Sequence, residues 1–182
     1  MGLPCPNASL NTWREAISNA IGLLSTLAFA LGVRVNLTPS LPIGLYVADA
    51  RGSLVEFCPP GNAGEVSAVR GYRELGVCAD HHAPLLKPIV ARVGDQVAID
   101  AQGISVNGAA LPNTQAQSLD HRRRPLQAYR AGNYTVAPGT VWVASTWNDG
   151  SFDSRYFGPV SRADIVGVFR PVTLSLPFLG DR

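Results

Sequence analysis

Two short stretches of this 182-residue chain carry side chains suited to acyl transfer. The first reads Thr38-Pro39-Ser40-Leu41-Pro42-Ile43-Gly44-Leu45-Tyr46. Prolines at 39 and 42 keep it out of a helix and remove two backbone N–H donors. The Ser40 N–H stays free, and Thr38 lies two residues upstream, on the same side of an extended chain. A serine hydroxyl beside a backbone N–H and a second hydroxyl supplies a nucleophile and half of an oxyanion hole. The second stretch reads Leu85-Leu86-Lys87-Pro88-Ile89-Val90-Ala91-Arg92-Val93-Gly94-Asp95. Lys87 sits among apolar residues at the start of an expected strand, and burial disfavours the charged amine. A neutral lysine can act as a general base. Each stretch alone has a plainer reading: a proline-rich linker, and a surface lysine on an amphipathic strand. A third stretch, from Trp147 to Val160, is dense in hydrogen-bonding and aromatic side chains and alone reads as a polar loop before a strand.

The elements that must position these residues are mostly strands. From residue 37 onward, short β-rich runs alternate with turn residues. They fall at 44–48, 53–57, 89–93, 96–100, 104–106, 134–136, 141–145 and 165–172. Asn107-Gly108 is a strong hairpin signal. Strand runs at this spacing imply a mainly β sandwich or barrel. The one helix expected in the body is 63–75. Residues 112–124 read as an exposed loop ending in Arg122-Arg123-Arg124, which is either simply solvated or grips an acidic partner or anionic lipid.

The N-terminal part sets the compartment. Residues 1–15 form a polar leader, and 16–36 form a mostly apolar segment whose one charge from 17 to 35 is Arg34. Its length just suffices to span a bilayer. Three readings stay open: a transmembrane signal anchor, a signal peptide cleaved after Ala28-Phe29-Ala30, and a buried core helix. The first two place residues 37–182 outside the cytoplasm. Cys58 and Cys78 fit an oxidising compartment, where a bridge would close a loop of about 20 residues and stabilise the fold by roughly 3 kcal/mol. Two buried free thiols are the alternative.

Composition excludes several classes. Apolar residues make up 46% and charged residues 15%, which is too apolar for a disordered chain. A net charge of +2 without clustering argues against a nucleic-acid binder. His81, His82 and His121 lack metal-ligand spacing, and there is no glycine-rich phosphate loop, so neither metal nor cofactor is expected.

Together the three stretches resemble the bacterial type I signal (leader) peptidase family, which works with a serine–lysine dyad. Ser40-Leu41-Pro42 with Gly44, just beyond an apolar segment, is similar to the nucleophile motif. Lys87 followed by Val93-Gly94-Asp95 is similar to the general-base motif. Ser151-Phe152-Asp153-Ser154-Arg155-Tyr156-Phe157-Gly158-Pro159-Val160 is similar to the last box, the most specific match. The chain departs from the usual pattern at Pro88, where an arginine is common, at Gly52-Ser53 and at Asn148-Asp149-Gly150. Pro42 also follows the nucleophile one residue sooner than usual. The Ser-x-Pro-x-Gly form, the small size and the cysteine pair look more like the TraF branch, the conjugative-transfer peptidases that mature propilins and in some members cyclise them.

The resemblance implies a signal-peptidase/LexA-like β domain after one membrane helix, held at the bacterial inner membrane and facing the periplasm. It implies Ser40 as nucleophile, Lys87 as base and Asp153 as a functionally important acid. The oxyanion hole would be the Ser40 N–H with the Thr38 hydroxyl, Ser151 would hydrogen-bond the Lys87 amine, and Asp153 would orient Arg155 or the region around Lys87. Gly44, Leu45, Tyr46 and Val47 would line a shallow apolar groove where an extended substrate adds as a strand. The implied partners are a membrane-held propilin or preprotein and membrane lipid, with no nucleic acid. The rival readings are a general signal peptidase, a LexA-like self-cleaving regulator and a non-enzymatic periplasmic subunit of a transfer apparatus.

Overall fold

The structure, a computed structural model, describes residues 13–20, 22–23 and 32–172. The chain divides into two units, Met1–Arg34 and Val35–Arg182. In the first, residues 13–20 and 22–23 are helical and exposed. Among the described residues no helix is long and apolar enough to cross a membrane. Residues 21 and 24–31 of the expected membrane segment lie outside the described residues.

The body is mainly β, as its turn-punctuated sequence predicts. A seven-stranded sheet has the order β1-β2-β11-β3-β4-β9-β10. Its members are β1 (Val33–Asn36), β2 (Gly44–Ala48), β3 (Leu54–Phe57), β4 (Leu85–Ala91), β9 (Thr140–Val143), β10 (Val160–Ser161) and β11 (Ile165–Pro171). A four-stranded sheet of order β7-β6-β5-β8 comprises β5 (Gln96–Asp100), β6 (Gly103–Val106), β7 (Ala109–Ala110) and β8 (Gly132–Thr135). Asn107 and Gly108 both take positive φ between β6 and β7, which is the backbone a tight hairpin turn requires.

Burial follows strand position. All four residues of β3 are buried, because β11 and β4 flank it and core lies against it. Val55, Phe57, Val141, Val143 and Val160 make one core cluster. Trp142, Val97, Ile99, Ile104 and Val136 make a second, joined by Tyr129 and Tyr134. Leu41, Tyr46, Leu54 and Phe169 make a third, beneath the proline-flanked turn.

Three local outcomes differ from the sequence reading. β4 begins at Leu85, so Lys87 lies inside the strand rather than at its start. Pro88 is tolerated in this central strand because it sits at a handover. β4 pairs with β3 through Leu85–Pro88 and with β9 from Ile89 onward, so the missing N–H falls where one ladder ends. The expected helix 63–75 is shorter, α1 (Asn62–Val69). Gly71 at φ 68° ends it, with Gly71 N–H bonded to Ala68 O and Tyr72 N–H to Ser67 O, a Schellman closure. Finally, β2 has a neighbour on each side and Tyr46 is buried, so the expected groove at Gly44, Leu45 and Tyr46 is not a free strand edge. The chain after α1 is tied back by the Cys58–Cys78 disulfide, which matches the expected pairing.

Candidate active site

The turn from 37 to 43 joins β1 to β2 and carries Ser40. Leu41 anchors it by entering the core at 4% exposure. The Tyr46 hydroxyl donates to Pro42 O at 2.6 Å. Asn36, the last residue of β1, is buried beneath the turn and bonded to it several times. Above these anchors Ser40 stays half-buried, and its hydroxyl lies 3.2 Å from that of Thr38. Two prolines and a buried leucine therefore make a short, stiff segment that presents one hydroxyl outward.

Lys87 arrives from the middle of β4. It is only 4% exposed, and its amine donates to Ser151 Oγ at 2.9 Å. Its pKa is lowered to about 8, chiefly by burial. The Asp153 carboxylate opposes that shift, and the Arg155 guanidinium adds to it. A lysine with this pKa is still mostly charged at pH 7, but about one-tenth of it is neutral, against a few parts in ten thousand for an ordinary lysine, and a general base works through that neutral fraction.

The third stretch folds as a loop closed by α2 (Ser154–Phe157). Asp153 caps this helix, accepting from Arg155 N–H at 3.2 Å. The same carboxylate accepts from Arg155 Nε at 2.8 Å and from the Ser145 N–H at 2.9 Å. Arg155 is fully buried and also donates to the carbonyls of Asn113, Ser145 and Asp149. A buried ion pair is tolerated only when its remaining donors and acceptors are satisfied, and here they are. The Ser154 hydroxyl accepts from Val143 N–H at 2.9 Å, fastening the loop to β9.

These parts meet through Ser145. Its hydroxyl donates to Ser40 O at 2.6 Å, and its N–H binds Asp153. Asn148 adds a bond from Nδ2 to Pro39 O at 3.3 Å. Ser151, which holds Lys87, donates its N–H to Asn148 O at 3.3 Å, and Asn148 N–H binds Ser145 Oγ, so hydrogen bonds link Lys87, Ser151, Asp153 and Arg155 to the Ser40 turn. Ser40 and Lys87 are bonded to Thr38 and Ser151, not to each other. The Thr38 hydroxyl, expected to serve the oxyanion, donates to Asn36 Oδ1 at 2.7 Å. Asp153 touches Arg155 and Ser145 and acts on Lys87 only through its charge. Of the arginine run, Arg124 is engaged with Asp120, while Arg122 and Arg123 are exposed. A cavity of about 650 Å³ is lined by Arg70, Tyr129, Phe152 and Tyr156 among others; none of the candidate site residues lines it.

Sequence reasoning missed Asn36 and Ser145. Neither sits in a chemical motif, and both work by holding backbone carbonyls of residues close to Ser40. The nearest signal was the departure from the family pattern just upstream of the last box.

The profile of the signal peptidase S26 family matches residues 12–173. The plasmid transfer protein TraF of Escherichia coli is 40% identical over 156 residues, covering 82% of this chain and 88% of that protein. A probable conjugal transfer protein TraF of Sinorhizobium fredii is 36% identical over 167 residues, covering 87% and 85%. A signal peptidase I crystal structure from Enterococcus faecalis shares 19% identity with a TM-score of 0.35, over 66% of this chain and 96% of that one, too distant to argue from. By its family profile and its TraF relatives, the chain belongs to the signal peptidase S26 family, in the branch of the TraF conjugal transfer proteins.

Proposed function

We propose that this chain is a serine peptidase that matures a membrane-held propilin during plasmid conjugative transfer, acting at the periplasmic face of the inner membrane. Ser40 is the nucleophile and Lys87 the general base. The observation that carries this reading is the Lys87 amine, buried, bonded to Ser151 and lowered to about 8, in the same hydrogen-bonded assembly as the Ser40 turn. An ordinary structural lysine would keep its charge in water. The relatives' role in plasmid transfer supports the choice of substrate.

The steps follow from these roles. Neutral Lys87 takes the Ser40 proton as Ser40 Oγ attacks the peptide carbonyl, and the C–N bond breaks with the proton passing to the leaving amine. The oxyanion is held by the Ser40 N–H and the Thr38 hydroxyl, each worth roughly 10²–10³ in rate. Ser151 keeps the amine aimed. Water, or an amine of the substrate itself, then takes the acyl group from Ser40.

Intact-mass analysis of a propilin incubated with wild-type, Ser40→Ala and Lys87→Ala proteins tests this. Processing by wild type alone is expected. A product one water lighter than the linear peptide indicates cyclisation, and a linear product indicates hydrolysis. Processing by Ser40→Ala would overturn the reading.

A further inference from the structure

The Asn36 amide is hemmed in on two sides by groups of fixed polarity. Its Nδ2 donates to Thr38 O at 2.9 Å, Leu41 O at 3.1 Å and Pro42 O at 3.2 Å. Carbonyl oxygens only accept, so the NH₂ end must face them. Oδ1 therefore faces Thr38, where it accepts from the N–H at 3.3 Å and from the hydroxyl at 2.7 Å. The Thr38 proton being committed to Asn36, the 3.2 Å contact between Thr38 Oγ1 and Ser40 Oγ has one polarity: Ser40 donates. The order of protons runs from Ser40 to Thr38 to Asn36, and it is set by an amide that is 7% exposed and cannot flip.

We propose that Asn36 is a positioning residue that latches the nucleophile and releases it when a substrate carbonyl arrives. This rests on the reading of Ser40 as nucleophile. At rest the Ser40 proton points at Thr38 and the Lys87 amine is bonded to Ser151. A scissile carbonyl entering the oxyanion hole offers Thr38 a stronger, developing-charge acceptor than Asn36 Oδ1. The Thr38 hydroxyl turns to it, and Asn36 keeps the turn in place through the Thr38 N–H and the three carbonyls. The turned hydroxyl no longer presents its lone pair to Ser40, whose proton then goes to Lys87. Binding of an acyl group and activation of the serine become one event. Asn36 touches no reacting atom and acts through Thr38.

A double-mutant cycle reads this coupling. Asn36→Ala, Thr38→Val and the pair are assayed for kcat and KM on a precursor peptide, with folding checked by thermal unfolding. Asn36→Ala is expected to lower kcat by about 10–100-fold, the scale of a misplaced reacting group, while leaving KM nearly unchanged. In the Thr38→Val background the same substitution is expected to cost far less, and Thr38→Ser is expected to restore the full dependence. If Asn36→Ala fails to fold, Asn36→Leu, of similar size and without the acceptor oxygen, replaces it. A folded Asn36 variant with wild-type kcat overturns the inference, and so does an undiminished effect in Thr38→Val, which would mean a purely scaffolding role. Ser40→Ala run alongside separates the cases: processing by that variant sinks the nucleophile reading itself.

Discussion

Lys87 holds its amine where water cannot hydrate it, and the sign of the consequence can be worked out. Its pKa is lowered to about 8 from the ordinary 10.5, first by burial. Below pH 8 the amine is charged in both folded and unfolded chains, and the fold bears the cost of burying that charge. Between about pH 8 and 10.5 the unfolded chain holds more protons, so stability rises with pH. Lys87→Met removes the buried charge and also leaves Ser151 without its partner. At 1.36 kcal/mol per pKa unit, less about 1 kcal/mol for the lost bond, unfolding at pH 7 should cost about 2 kcal/mol more than in wild type. That advantage should fade towards pH 10.5. Guanidinium unfolding at pH 7 and pH 10 measures both. The Lys87–Ser151 contact was legible through the family resemblance, which pairs that serine with the lysine amine. Asn36 and Ser145 were not, because they bond backbone carbonyls whose positions exist only after the chain has folded back.

At the scale of elements, the last box was legible as a match to the family pattern, and the family profile spans it. The resemblance marks Asp153 as an important acid beside Arg155 or Lys87, and the folded loop makes it the cap of α2 and the counter-charge of fully buried Arg155. Its negative charge still favours the protonated amine of Lys87. Asp153→Asn keeps the shape and removes the charge, which leaves Arg155 buried without a counterion, a loss of about 3–5 kcal/mol. It should also lower the Lys87 pKa further, so the acid limb of the kcat/KM–pH profile should move to lower pH. A pH profile that stays in place would mean that the carboxylate does not act on Lys87. The strands themselves were legible from turn residues and alternation, with β2 and β5 matching residue for residue. β4 was misplaced because Pro88 reads as a strand breaker, and only the handover from β3 to β9 makes its missing N–H harmless.

At the scale of the whole molecule, apolar side chains are left in solvent around the Ser40 turn. Leu37 is 73% exposed, Ile43 75% and Trp147 66%, and Leu45 is partly exposed. Leu37 and Ile43 are the end residues of the turn, Leu45 follows in β2, and Trp147 belongs to the loop that Asn148 fastens to Pro39. An apolar rim of this kind costs solubility and survives where it meets a membrane or an apolar partner. For a peptidase whose substrate is held in a bilayer, such a rim would seat the nucleophile at the depth of the scissile bond. Aromatic and aliphatic side chains are the ones that enter the interfacial region. Ile43→Glu with Trp147→Glu should therefore weaken binding of the body domain to phospholipid vesicles by an order of magnitude or more, since each residue withdraws a large apolar group from the bilayer. Processing of a vesicle-embedded precursor should fall with it, while cleavage of a short soluble peptide should persist, because neither side chain bonds to Ser40, Lys87 or Ser151. Equal loss on both substrates would assign these side chains to substrate contact, and the membrane would then have no part in aligning the site.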